Sequence, residues 1–125
     1  MIRSVPVALA ALLTLTACAP SAGPTLSRPN GLALTAEGQL LVSDFQNARV
    51  VRFGTDGRSI GSHGSRGLEE GELWRVWGLS ATPDGGFIVI DHLLDDVEDQ
   101  TSYARVAKVF DATGQHRSSF SLTPP

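Results

Sequence analysis

Two stretches decide the fold: Arg28-Pro-Asn-Gly-Leu-Ala-Leu-Thr-Ala-Glu-Gly-Gln-Leu-Leu-Val-Ser-Asp44 and Arg75-Val-Trp-Gly-Leu-Ser-Ala-Thr-Pro-Asp-Gly-Gly-Phe-Ile-Val-Ile-Asp91. Set 47 positions apart, they bring Arg28 onto Arg75, Gly31 onto Gly78, Leu32 onto Leu79, Glu37-Gly38 onto Asp84-Gly85, Val42 onto Val89 and Asp44 onto Asp91. A fixed internal period of this size marks a repeated supersecondary unit. Each copy reads as a short apolar strand (Gly31–Leu34; Gly78–Ala81), then an acidic-Gly turn that supplies the positive backbone angles of a tight reversal. A continuous apolar strand follows (Leu40–Ser43; Phe87–Ile90), the pattern of a strand covered on both faces.

Working outward, a third strand is expected at Arg49–Phe53 and at Val106–Phe110. Phe53-Gly-Thr-Asp-Gly57 matches Phe110-Asp-Ala-Thr-Gly114, and the offset has grown to 57. The second copy therefore holds a ten-residue insertion between its second and third strands, placed at Leu93–Tyr103. Weaker fourth strands are expected around Ser59–Ser62 and His116–Phe120. Four short antiparallel strands per repeat, with glycine turns, describe the blade of a β-propeller, so the chain is expected to be all-β with two four-stranded antiparallel blades.

The residues resemble a named repeat at this point. Pro29-x-Gly31-Leu-Ala, Gly38, Leu41-Val-Ser-Asp44-x-x-Asn47-x-Arg49-Val50, Phe53 and Asp56-Gly57 are similar to the NHL repeat, and Gly67-Leu-Glu-Glu-Gly71-Glu-Leu73 is similar to its inter-blade spacer. The resemblance places one blade at residues 28–73 and a second at 74–123. It implies a six-bladed propeller used mostly to bind proteins or other ligands, with Asp44, Asn47, Arg49 and Asp91 tying loops between blades. Two blades do not close a propeller, which takes about four to eight. Either the chain is a truncated product, or it is an open module, or several copies complete one ring, three chains supplying the six blades that the resemblance implies.

At the N-terminus, Arg3 precedes the apolar run Val5–Thr16, too short for a membrane span of about 20 residues and suited to the core of a signal peptide. Leu15-Thr16-Ala17-Cys18 resembles the lipobox of bacterial lipoproteins. That resemblance implies removal of residues 1–17, acylation of Cys18 with a palmitate-type lipid, and a place in the cell envelope. Ala19 after the cysteine, in place of aspartate, implies the outer membrane. Cys18 is the sole cysteine of the 125 residues, so no disulfide competes for it. Residues 18–27 are small, Pro-rich and uncharged, the composition of a lipidated tether.

The mature chain carries a net charge of −4, since only one base and no acid leave with residues 1–17. No basic stripe is present, which argues against a nucleic-acid partner. No phosphate loop, CxxC pair or nucleophile elbow occurs, His63, His92 and His116 have no metal-ligand spacing, and neither catalytic residues nor a cofactor are assigned. The expected function is a membrane-anchored, ligand- or protein-binding module.

The alternative is an enzyme. Pro29-Asn30-Gly31-Leu32 is similar to a segment of the gluconolactonase and senescence-marker-protein propellers, and this implies a divalent metal such as calcium on Asn30 and a truncated lactonase. The equivalent of Asn30 is Trp77, so the second copy offers no matching ligand, and hard cations need several converging oxygens. Asp95, Asp96, Glu98 and Asp99, in the insertion, lack the spacing of a calcium loop and are assigned instead to a solvated binding edge. Of Trp74 and Trp77, one is expected in the core and the other as a stacking surface.

Overall fold

The computed structural model describes residues 23–94 and 103–122. The signal peptide, Cys18 and the acidic residues Asp95, Asp96, Glu98 and Asp99 lie outside the described residues.

Eight strands form two four-stranded antiparallel sheets in simple up-and-down order. The first holds β1 (Pro29–Leu34), β2 (Leu40–Asp44), β3 (Arg49–Phe53) and β4 (Ser59–His63). The second holds β5 (Val76–Ala81), β6 (Phe87–Leu94), β7 (Tyr103–Phe110) and β8 (His116–Ser121). All eight expected strands are present, and β3 has the expected ends.

Four of the hairpin turns are built alike. Thr35, Gly54, Thr82 and Asp111 each donate an N–H to the carbonyl four residues on, and accept one from a glycine three residues on. Those glycines, Gly38, Gly57, Gly85 and Gly114, have φ between 82° and 88°. A type I turn followed by a left-handed residue is the three-residue hairpin loop, and its last position excludes most side chains.

The ten extra residues of the second copy do not all form a loop. β6 runs on to Leu94 and β7 begins at Tyr103, so the pairs His92↔Arg105, Leu93↔Ala104 and Leu94↔Tyr103 lengthen the ladder before the insertion leaves it. In the first copy the same junction is a 3-10 turn, Phe45–Asn47, closed by Ala48 in the left-handed region at φ 50°. Period-two patterning marks where an alternating strand starts, but it does not mark how far the backbone pairing extends past it.

Alternation sorts the side chains. Gly31, Ala33, Leu41, Ser43 and Val50 occupy the face of the first sheet that meets the second, and Leu79, Ala81, Phe87, Val89 and Phe110 answer them. Leu41, Val50, Leu73, Val76, Phe87 and Val89 are fully buried there, with Phe87 stacked on Phe110 at 5.0 Å. The sheets come closest at β1 and β5. A Cβ on Gly31 would lie 2.5 Å from Ser43 Oγ and 2.6 Å from the Trp77 carbonyl oxygen, so only glycine fits. Arg52 bridges the sheets further out: it donates to Gln39 Oε1 at 3.0 Å and to the buried Gly85 carbonyl at 2.9 Å.

Candidate functional site

Asp44 and Asp91, at equal repeat positions, perform the same task. Both are fully buried. Asp44 accepts the Ser27 N–H at 2.7 Å; Asp91 accepts the N–H groups of Trp74 at 3.0 Å and Arg75 at 2.7 Å. Each therefore holds the segment that leads into its own blade, and carboxylate acceptors of this kind fix geometry strongly. A cation completes each latch. In the first sheet Arg49 Nε and Asn47 Nδ2 donate to Asp44 at 2.9 and 2.8 Å, and Arg49 Nη2 and Asn47 Nδ2 donate to the Thr25 carbonyl. In the second, Lys108 Nζ lies 3.2 Å from Asp91 and donates to the carbonyls of Glu69 and Glu72.

Thr25 and Glu72 are themselves 47 residues apart, so the receiving carbonyl is conserved in place while the cation has moved. The sequence reading found Asp44, Asn47, Arg49 and Asp91 but not Lys108, which comes from two residues along the neighbouring strand. Its signal was a lysine inside the apolar run Val106-Ala-Lys-Val-Phe110. The latch also engages Thr25 and Ser27, part of the stretch read as tether.

Asn30 sits between the sheets. Its Oδ1 accepts from Ser43 Oγ at 2.8 Å and its Nδ2 donates to the Val76 carbonyl at 3.2 Å. Both ends of the amide are engaged, and no group of three or more His, Cys, Asp or Glu side chains converges among the described residues. These residues do not build a divalent-cation site at Asn30.

The chemistry that does gather lies where the β2–β3 turn meets the lead-in to β5. Phe45 and Trp77 meet edge to face at 5.2 Å, and Trp77 lies 5.3 Å from the His92 ring. Trp77 is 43% exposed, so it is the surface tryptophan. Trp74 is half-buried under the Arg66 guanidinium, at 5.6 Å, and its Nε1–H is buried without an acceptor among the described residues. Two adjoining hollows share Arg28 and Phe45. One, of about 490 Å³, is bounded by Asn30 and Trp77; the other, of about 530 Å³, by Arg66, Trp74 and Arg75.

Arg28 is exposed and holds φ 58°, a strained backbone for a side-chain-bearing residue, at the mouth of both. Burial holds His92 below the ordinary 6.5, and the Arg105 and Arg75 charges add to this against the opposing pull of Asp91. Three arginines, Arg28, Arg66 and Arg75, line the second hollow in a chain of net negative charge. Sequence reading singled out Trp74 and Trp77 but not Arg28, Arg66 or Phe45, which the connections of the first sheet bring together: Phe45 N–H donates to the Arg28 carbonyl and the Arg66 guanidinium to the Gln46 carbonyl.

These features define a repeat module of the β-propeller class. More particularly, the model of the NHL repeat matches residues 26–53. Among solved structures, the PQQ-bound form of aldose sugar dehydrogenase from Streptomyces coelicolor is similar, with a TM-score of 0.55 and 22% identity over 83% of this chain. The likeness is one of fold, and the chain spans 32% of that protein's length. A search of curated proteins gives no match. No described helix is long and apolar enough to cross a membrane.

Proposed function

We propose that the chain is a lipid-anchored envelope protein whose NHL-type repeats form a binding module, with the groove between the sheets as its ligand site. The lipobox-like Leu15–Cys18 supports the anchor. One observation carries the site: Arg28, Arg66 and Arg75 line one hollow with Trp74, whose indole N–H has no acceptor among the described residues, and the exposed Trp77 face lines the adjoining hollow. Guanidinium groups recognise carboxylate or phosphate through paired N–H donors, and a tryptophan face accepts a flat ring or the apolar side of a sugar. The ligand favoured is anionic with a flat or apolar face.

Tryptophan emission of the full chain, titrated with acidic oligosaccharides and acidic peptides beside their neutral counterparts, tests this. At least one anionic probe should give a saturable change, weakened at least tenfold in Arg28→Ala and in Trp77→Ala. If no anionic probe alters the emission, the site assignment fails. The anchor is tested separately by labelling cells with a radioactive fatty acid: label should enter the wild-type chain and not Cys18→Ser.

A further inference from the structure

Each sheet meets the other through one face and has a second face that no described residue of the other sheet covers. The repeat relates the four faces in an orderly way. The second sheet meets the first through Leu79, Ala81, Phe87, Val89 and Phe110, and the same repeat positions in the first sheet are Leu32, Leu34, Leu40, Val42 and Phe53, on its outer side. Leu32 and Leu34 are 69% and 67% exposed, whereas Leu79 and Ala81 pack against the core. Conversely, the inward Gly31, Leu41 and Val50 of the first sheet correspond to Gly78, Ile88 and Ala107 on the outer side of the second. The two outer faces thus hold the repeat positions of the two faces that already fit each other, with Val42 and Ala107 on them already buried within the chain.

Gly78 is an independent pointer. At Gly31 glycine is required because the β5 backbone comes within reach of a missing Cβ. At Gly78 the backbone angle is ordinary and the nearest described atom to a Cβ is Ile90 Cγ1 at 3.5 Å, so nothing among the described residues requires glycine there. Phe120, at the repeat position of His63, is 51% exposed on the same side, while His63 lies 5.7 Å from Phe87 across the inner interface.

We infer that the outer face of the first sheet of one chain docks on the outer face of the second sheet of another copy, repeating between chains the contact found within each. Gly78 takes the role of Gly31, and Leu32 and Leu34 take those of Leu79 and Ala81. The contact is head-to-tail, so its repetition closes a ring or runs on as a fibre according to the rotation per step. It concerns sheet faces away from the groove and stands whether or not that groove binds an anion.

Cross-linking tests the contact. Within the chain, a Cβ at Gly31 lies 3.4 Å from Leu79 Cβ, near the ~3.5–4.5 Å of a disulfide. Full-length chain carrying Cys18→Ser, Leu32→Cys and Gly78→Cys, oxidised in detergent, should give a reducible ladder of two, three and more chains on a gel, with no ladder from either single cysteine. A single-chain band from protein with a β-sheet circular dichroism spectrum overturns the inference. Light scattering of the unmodified full chain in detergent does not depend on how that variant folds. A protein mass of at least twice one chain, falling to one chain in Gly78→Gln, is expected; one chain throughout overturns it.

Discussion

Asp44 and Asp91 show how one requirement is met by two chemistries. The Asp44 latch uses Arg49 at the edge, 24% exposed, whereas Asp91 and Lys108 are 0% and 2% exposed. Removing one member of a buried pair leaves the other charge uncompensated, at about 3–5 kcal/mol, and Lys108→Met should lower the melting temperature accordingly. Arg49→Met loses a charge-assisted hydrogen bond that Asn47 and Ser27 partly cover, at about 1.5–3 kcal/mol. Thermal melts of the two variants should rank in that order. The sequence disclosed the acceptors because they repeat at a fixed offset. It concealed the second donor because a side chain as long as lysine reaches an acceptor from more than one backbone position.

His63, which has no metal-ligand spacing in the sequence, is half-buried against Phe87 of the second sheet. Burial lowers its pKa below the usual 6.5, the Arg52 charge lowers it further, and Asp111 opposes both. The unfolded chain therefore takes up the proton first. Stability is full above the ordinary value, declines as pH falls through it, and levels off below the lowered folded value. Melting temperatures between pH 8 and pH 5 should fall in the wild type and change less in His63→Gln; parallel curves would refute the assignment.

Among the elements, the hairpin turns carry their own titration. Asp111 accepts from the Thr113 hydroxyl and from the Gln115 and Thr113 N–H groups, and with the Arg117 charge these hold its pKa down to about 2. Because the folded value is depressed, the stability it contributes is present above the ordinary 3.8 and is lost as pH falls from there through about 2. Asp111→Asn should flatten the acid limb of the melting curve in that window. Close approach at β1 and β5 gives a further contrast: Gly31→Ala forces the strands apart and should cost about 1–3 kcal/mol, as overpacking does. The strands themselves were legible because apolar runs and acidic-Gly turns alternate. The lengthened β6–β7 ladder was not, since past Ile90 the pattern breaks at Asp91 and His92 while the backbone still pairs.

At the level of the whole molecule, two sheets share one core, so neither has a hydrophobic interior of its own. Phe87 is fully buried, stacks on Phe110 and touches the first sheet through His63. Phe87→Ala should cost about 3–5 kcal/mol and lower one common transition, with far-ultraviolet circular dichroism and tryptophan emission melting together. Separate transitions would mean that the blades stand independently. The two-blade architecture could be read from the period alone, but the groove could not. Arg28, Phe45 and Arg66 come from three connections, and no spacing in the chain predicts their convergence.

The latch around Asp44 also sets a length. Arg49 and Asn47 grip the Thr25 carbonyl, so the fold takes hold of the chain there and not at β1. With the lipid we propose on Cys18, seven residue-to-residue steps lead from the lipidated cysteine to that grip, and at ~3.5 Å each they reach about 25 Å at full stretch. The module would stand off the membrane by no more than that reach, and any pull from the lipid would load a buried carboxylate clasp before it reached the edge of a sheet.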